Sequence, residues 1–471
     1  MRYISTRGAA PVLDFTQAIL AGLASDGGLY VPQAWPRFSE GEIAAMAGLP
    51  YVEVAVRVCR PFTHPCLDEA ALRDLFTSAY AGFAHSAIAP LKQLDQRQWL
   101  LELFHGPTLA FKDVALQALG LLFERTLRAS GQHLTVIGAT SGDTGSAAIH
   151  ALAGRAGVEV YMLHPEGRVS EVQRRQMTTV DAANIHNIAI QGNFDDAQAL
   201  VKAMFNDAAF AGRFPLAAVN SINWARLLFQ VVYYFTSALA LGAPHRQVAY
   251  AVPTGNFGDV FAGYVAAQMG LPIARLVVAT NRNDILHRAL AAGDYSAGQV
   301  VPTDAPSMDI QVSSNFERLL FDLGGRDGAA LAARMAAFEA TKRMELPAAQ
   351  RAAAAALFTS ARVDEAAMRA AMAETWADAG ELIDPHTAIG LAAARGACAD
   401  LPGDVPMVTL ATAHPAKFPA AVHTATGITP ALPQRLAHIM DAPERYAVEP
   451  AQLQVIEAFI AARARPRGQP A

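Results

Sequence analysis

The sequence predicts an α/β fold of parallel sheets covered by helices on both faces, in roughly three layers. Three observations carry that prediction. Short apolar runs alternate with helical stretches of about 10 to 15 residues from residue 96 onward. Two of these runs pass through a glycine-bearing turn straight into a helix, a connection typical of parallel strands. Hydrophobic residues make up 52% of the chain against 17% charged, which supplies large buried layers and argues against disorder. At 471 residues the chain exceeds one ordinary core, so two or three lobes are expected.

Residues 1–95 read as a separate N-terminal lobe. In it "SDGGLYVP" (Ser25 to Pro32) is a turn followed by an extended segment, and Ser39 of "FSEGEIAAMAG" is placed to cap a helix. Residues 96–225 read as a smaller α/β domain. There "QWLLELF" is a short strand, and a helix follows Lys112 with Val114, Leu116, Leu119, Leu122 and Phe123 as its apolar positions. "HLTVIGATSGDTGSAAIHALAG" is strand, glycine-rich turn and small-residue helix, and "VEVYMLHP" and "NIHNIAIQG" are further strands. Residues 226–471 read as a larger α/β domain. "RQVAYAVPTGNFGDVFAGYVAAQMG" repeats the strand, turn and helix, and "IARLVVATN" adds a strand. The alanine-rich stretch from about 325 to 380 reads as helical, and the basic tail "AARARPRGQPA" as frayed.

Composition narrows the function. A net charge of −5 leaves no basic footprint for a nucleic-acid partner. The three cysteines, Cys59, Cys66 and Cys398, match no zinc spacing and no disulfide framework, and no histidine cluster has metal-ligand spacing. The most apolar stretch, Leu227 to Ala243, carries Gln230, Thr236 and Ser237 and falls short of the ~20 residues of a membrane span. It reads as a helix buried between protein layers. The N-terminus shows neither a signal nor a transit pattern, so a soluble cytoplasmic protein with no membrane partner is expected. A monomer and a homodimer fit the sequence equally.

Four stretches carry candidate chemistry. In "HGPTLAFKDVALQ" (His105 to Gln117) the lone Lys112 sits between Phe111 and Asp113; taken alone it is a surface cation. In "PTGNFGD" (Pro253 to Asp259), Gly255 and Gly258 let the backbone approach a ligand just where a helix starts, and free N–H groups with the positive dipole end suit a phosphate. A plain tight turn is the alternative, and the glycine spacing is not that of a dinucleotide fingerprint. "GATSGDTGS" (Gly138 to Ser146) gathers Thr140, Ser141, Thr144 and Ser146 around three glycines, a nest of donors suited to a carboxylate or phosphate. Asp143 in its middle must point elsewhere or bond a hydroxyl. In "NSINWARLLFQ" (Asn220 to Gln230), Asn220 or Ser221 can cap the helix, while Arg226 offers a planar fork for phosphate or a structural salt bridge.

Together with "SSNFER", "DPHTAIG", "TAHPAKFP", "YISTRG" and "DGGLYVP", these blocks resemble, in order and over nearly the whole chain, the threonine synthase family of the longer bacterial and fungal kind. The resemblance implies the tryptophan synthase β-like fold of pyridoxal-phosphate enzymes, two three-layer lobes plus the N-terminal one. It also implies conversion of O-phospho-L-homoserine and water to L-threonine and phosphate. By the same resemblance Lys112 forms the Schiff base with pyridoxal 5'-phosphate, and burial beside Phe111 disfavours its charged form. Gly255, Asn256, Phe257, Gly258 and Asp259 match the loop that cradles the cofactor phosphate, and Thr412 the hydroxyl facing the pyridine nitrogen. Thr140, Ser141, Gly142, Asp143 and Thr144 match the loop that binds the substrate carboxylate along the cofactor ring. Many relatives have Asn where Asp143 stands. Asn220, Ser221 and Arg226 match positions that hold the substrate phosphate.

The implied cycle is a series of proton moves at Lys112, with Arg226 and the donor loops stabilising the departing phosphate. Asp113 is expected at the helix start, meeting the dipole. His105, His386 and His414 sit in motif blocks, each open to a relay or a hydrogen-bonded structural role, and Ser313 to Arg318 has no assigned role. The alternatives are another enzyme of the same fold, such as a threonine dehydratase or a β-replacing synthase, and a catalytically silent relative. Neither of those enzymes needs a second phosphate site, so Arg226 with Asn220 and Ser221 discriminates.

Overall fold

Thirteen strands are found among the described residues of the computed structural model, which are 1–218 and 221–468. In chain order they are β1 (Tyr3–Ser5), β2 (Tyr30–Pro32), β3 (Leu91–Gln93), β4 (Gln98–Glu102), β5 (Leu134–Ala139), β6 (Val158–Pro165) and β7 (Ile185–Gln191). After these come β8 (Leu216–Ala217), β9 (Val248–Pro253), β10 (Ile273–Thr280), β11 (Phe358–Arg362), β12 (Met407–Ala411) and β13 (Ala447–Pro450). The chain divides into two compact units, one of residues 1–77, 83–105 and 221–430, the other of 78–82, 106–220 and 431–471.

The larger unit is built on a six-stranded sheet in the order β11-β10-β9-β12-β4-β3, parallel except for the antiparallel edge strand β3. Its central strands are buried on both faces, so their sequences are continuously apolar, as central parallel strands are. Period-two alternation still sorts the side chains. Ala249, Ala251, Val277, Ala279 and Met407 join the core formed with the helix Pro385–Ala397. Tyr250 turns the other way, where its ring meets Tyr234 of the helix Trp224–Ala240. That helix is strongly apolar and is buried along nearly its whole length. No helix of the described residues is long and apolar enough to cross a membrane.

The smaller unit holds a five-stranded parallel sheet, β13-β7-β6-β5-β8. Ile137, Tyr161, Leu163, Ile188 and Ile190 point to one face, against the helices Phe194–Asn206 and Leu453–Ala461. The helices Lys112–Ser130 and Asp143–Leu152 pack closely together, close enough that a Cβ on Gly120 would stand 2.3 Å from the Ala151 carbonyl oxygen. Glycine is therefore required where the two helices touch.

The structure redraws three of the sequence-based boundaries. Residues 1–77 belong with the larger unit rather than standing apart, because Thr6 and Arg7 bond Glu317, and Arg318 bonds the Tyr30 carbonyl. The alanine-rich stretch contains a strand, β11, whose "FTSAR" pairs in parallel with β10; residues of good strand propensity there escape notice between two runs of alanine. The tail is anchored as far as Arg467, whose N–H bonds the Arg213 carbonyl, and residues from 431 onward complete the smaller unit. Ser39 caps its helix as expected, in a reciprocal capping box with Glu42.

Candidate active site

In the smaller unit, Lys112 opens the helix Lys112–Ser130 and is only 7% exposed, so the surface-cation reading is wrong. The turn before it is fixed by Asp113. Its two carboxylate oxygens accept from the Thr108 N–H and hydroxyl, both at 2.7 Å, so Asp113 clamps the loop as well as standing in the first turn. Gly106 must be glycine for this clamp, since a Cβ there would lie 2.5 Å from an Asp113 oxygen. Leu109 takes a left-handed conformation at φ 60°, a strained choice for a branched side chain that fits a functional loop. The Lys112 ammonium lies over the Phe111 ring and 3.5 Å from a carboxylate oxygen of Asp143.

Asp143 begins the helix Asp143–Leu152, directly after β5 and the turn Thr140–Gly142. One oxygen faces Lys112, and the other accepts from Gln173 Nε2 at 2.9 Å. The four hydroxyls of this turn divide in two. Thr140 and Ser146 are buried and spent locally, Thr140 accepting from the Gly142 and Gly145 N–H groups and Ser146 donating to the Gly142 carbonyl. Ser141 and Thr144 stay half-buried. They are the hydroxyls this turn can offer a ligand.

In the larger unit, β9 and β12 are adjacent and parallel with Thr409 opposite Ala251, so Thr412 and the turn after Pro253 leave the sheet at the same carboxyl edge. That edge is where ligands settle in parallel sheets. Phe257 sits at the cap position of the helix Gly258–Gln268 with φ 61° and no side-chain cap, which leaves the first amides of that helix for an anion. Asp259 turns its side chain back into the protein. It accepts from Tyr233 and Tyr234 of the helix Trp224–Ala240, and burial raises both phenols so that they stay donors.

Sequence reading missed how this turn is braced. Ser313 donates to the Gly255 carbonyl at 2.8 Å, and Asn315 donates to the Asn256 carbonyl from its backbone at 3.1 Å and its side chain at 3.0 Å. Asn315 also bonds the Ser221 carbonyl, and Ser314 approaches the Ser221 hydroxyl at 3.2 Å. "SSNFER" is therefore the clamp on the "GNFG" turn. A second brace comes from "DPHTAIG". Asp384 accepts from His386 Nδ1 at 2.8 Å, and His386 Nε2 accepts from the Ser307 N–H at 3.3 Å, which places a ring proton on Nδ1. The Ser307 carbonyl in turn would lie 2.6 Å from a Cβ on Gly255. His386 thus has a structural role, His105 bonds Glu102 at 2.8 Å, and His414 caps the turn Pro415–Lys417.

Arg226 lies in the first turn of the helix Trp224–Ala240, which is capped by Asn223 rather than by Ser221. Asn220 falls outside the described residues. Arg226 is 5% exposed, no carboxylate of the described residues pairs with it, and its Nη1 is buried without a partner. Burial pulls the guanidinium down to about 10, which still leaves it charged at neutral pH. A buried, unpaired cation is costly unless a ligand neutralises it. Each unit carries groups that suit pyridoxal phosphate: the smaller a buried amine, the larger a helix start without a side-chain cap and a threonine at the same sheet edge.

Comparison with known proteins agrees with this chemistry. Residues 85–357 match the family model of pyridoxal-phosphate dependent enzymes, and residues 2–80 and 387–460 match those of the threonine synthase N terminus and C-terminal part. A curated threonine synthase from Pseudomonas aeruginosa is 54% identical over the whole of both chains. A crystal structure of a PLP-bound threonine synthase from Brucella melitensis superposes with a TM-score of 0.96 at 50% identity, covering 99% of this chain and 100% of that one. Yeast threonine synthase gives 0.93 at 37% identity, covering 98% of each. The fold is that of the pyridoxal-phosphate enzymes. Within it, the chain belongs to the threonine synthase family.

Proposed function

We infer that this chain converts O-phospho-L-homoserine and water to L-threonine and phosphate with pyridoxal 5'-phosphate as cofactor. The observation that carries the substrate is Arg226, a buried guanidinium with an unsatisfied nitrogen and no acidic partner among the described residues. A dehydratase or β-replacing enzyme has no phosphate on its substrate to justify such a group.

Bound pyridoxal phosphate supplies an electron sink conjugated to the amino-bearing carbon of the substrate. Lys112 would hold the cofactor aldehyde and serve as the base for the α-proton. Its place at the start of a rigid helix, with Thr108 and Asp113 locking the preceding loop, keeps the amine oriented through these exchanges. The amides from Gly255 to Asp259 would hold the cofactor phosphate, with Asn256 and Phe257 shaping the turn, and the Thr412 hydroxyl would serve the pyridine nitrogen. Ser141 and Thr144, with the amides of Gly142 and Asp143, orient the substrate carboxylate; Thr140 shapes their turn. Arg226, with Ser221 and Asn220, holds the substrate phosphate. That phosphate carries about two negative charges as it departs, and a fixed cation out of water stabilises them more than water would.

The test is to incubate the purified protein with O-phospho-L-homoserine and identify the products. One phosphate per L-threonine is expected. A 2-oxo acid with ammonia, or no phosphate at all, would overturn the assignment.

A further inference from the structure

The helix Glu171–Thr178 belongs to none of the sequence blocks discussed so far, yet it holds both polar loops of the smaller unit. Gln173 and Gln176, three apart on one face, are buried at 4% and 1% exposure. Gln176 Nε2 donates to the Thr108 carbonyl at 3.0 Å, in the loop that leads to Lys112. Gln173 Nε2 donates to Asp143 at 2.9 Å. The orientation of the Gln173 amide is set from the other end, where the Ser170 hydroxyl donates to its Oε1 at 2.9 Å. Gly142 makes room for it, since a Cβ at that position would lie 2.6 Å from the Gln173 carboxamide.

These contacts explain the acid at position 143. One side-chain atom must accept from an amide N–H, and the other must face the Lys112 amine. A carboxylate presents an acceptor on each side, whereas an asparagine could satisfy Gln173 only by turning its own NH₂ toward the lysine. We propose that Gln173 is a positioning residue that, held by Ser170, fixes Asp143 so that its second oxygen remains on the Lys112 nitrogen and keeps that nitrogen protonated between its steps. Asp113, next in the chain, has both oxygens engaged by Thr108, and Arg435, which donates to the Gly106 carbonyl, is close enough to feel the Asp113 charge.

The inference rests on Lys112 as the amine that carries the cofactor, and the test separates the two. The full-length protein loaded with pyridoxal phosphate is titrated with base while the visible band of the bound cofactor is followed, in the native form and in Gln173→Met, Asp143→Asn and the double variant. Methionine keeps the volume and removes the donor. A nearby carboxylate favours the protonated nitrogen, so the midpoint should fall by about half a pH unit or more in each single variant. The double variant should fall no further than Asp143→Asn, because Gln173 acts through Asp143. In the cofactor-free full chain, Lys112 of Gln173→Met should be acylated several-fold faster by acetic anhydride at neutral pH, read by mass spectrometry. If Gln173→Met lowers the melting temperature while leaving midpoint and acylation at native values, the positioning role is refuted. The same holds if the Asp143→Asn midpoint does not move. A visible band that survives in Lys112→Ala refutes instead the underlying reading of Lys112.

Discussion

The two glycine-bearing turns look alike as sequence, yet the structure equips them for different ligands. After β5, the turn at 140–143 is lined with hydroxyls, and a carboxylate stands at the first helical residue facing an ammonium. After β9, the turn at 255–258 has no side-chain cap, a left-handed Phe257, and an acid that is turned away onto two tyrosines. The first turn spends part of its donor capacity on itself, since Thr140 takes two amides. The second spends none of its helix-start amides in that way and suits a dianion. The difference lies behind the turns. Gln173 directs the acid of the first toward the lysine, and Tyr233 and Tyr234 draw the acid of the second into the core.

Substitutions should separate the two turns by what each loses. The largest effect is expected for Arg226→Ala, which removes the cation proposed for the substrate phosphate. KM for O-phospho-L-homoserine should rise about a hundredfold, the size of a lost charged hydrogen bond, while the cofactor spectrum stays as it is. Because burial holds the free guanidinium at about 10, the native KM should also climb as pH passes that value and the group loses its proton. Steady-state kinetics across pH checks both.

A smaller effect is expected for Gly255→Ala. The added Cβ meets the Ser307 carbonyl oxygen, which the Ser307–His386–Asp384 chain holds in place. Overpacking there should cost about 1–3 kcal/mol and weaken cofactor retention about tenfold, as dialysis against buffer would show. If the second turn tolerates the methyl with full retention, the rigidity ascribed to it is wrong.

The smallest effect concerns the bracing of the first turn. Glu444 pairs with Arg174 and accepts from Thr178, on the helix that carries Gln173, and the Arg174 bond leads in holding its carboxyl below the ordinary value. A carboxylate with a depressed folded pKa stabilises the fold above its unfolded pKa, and that gain is lost as pH falls through the folded one. Glu444→Gln should therefore destabilise the fold at pH 7 by under about 1 kcal/mol for a pair so near the surface, and lower the melting temperature slightly. The gap from the native protein should close in acid, as melts at stepped pH would show.

Much of this was legible in the sequence. The strand–turn–helix units, the buried helix from Leu227, and every block that lines the proposed chemistry are local patterns, and local patterns survive in sequence. The bracing was not legible, for a physical reason. Ser313, Asn315, His386 and Gln173 are polar residues that reach across 30 to 94 positions, and Thr6 meets Glu317 across 311. Taken locally, each reads as ordinary surface. Strand β11 was hidden by its alanine-rich surroundings, and β13, four residues long, by its shortness. The helix cap went to Asn223 because its side chain reaches the Ala225 N–H, a choice among three neighbouring polar residues that composition does not decide.

The path of the chain through its sheets has a consequence for synthesis. Strand β12, at 407–411, is inserted between β9 and β4, and β13, at 447–450, covers the outer edge of β7. A nascent chain leaving the ribosome thus carries β4 and β9 with bare hydrogen-bonding edges until more than 400 residues have been made. C-terminal truncation should therefore leave an unpaired strand edge in each sheet.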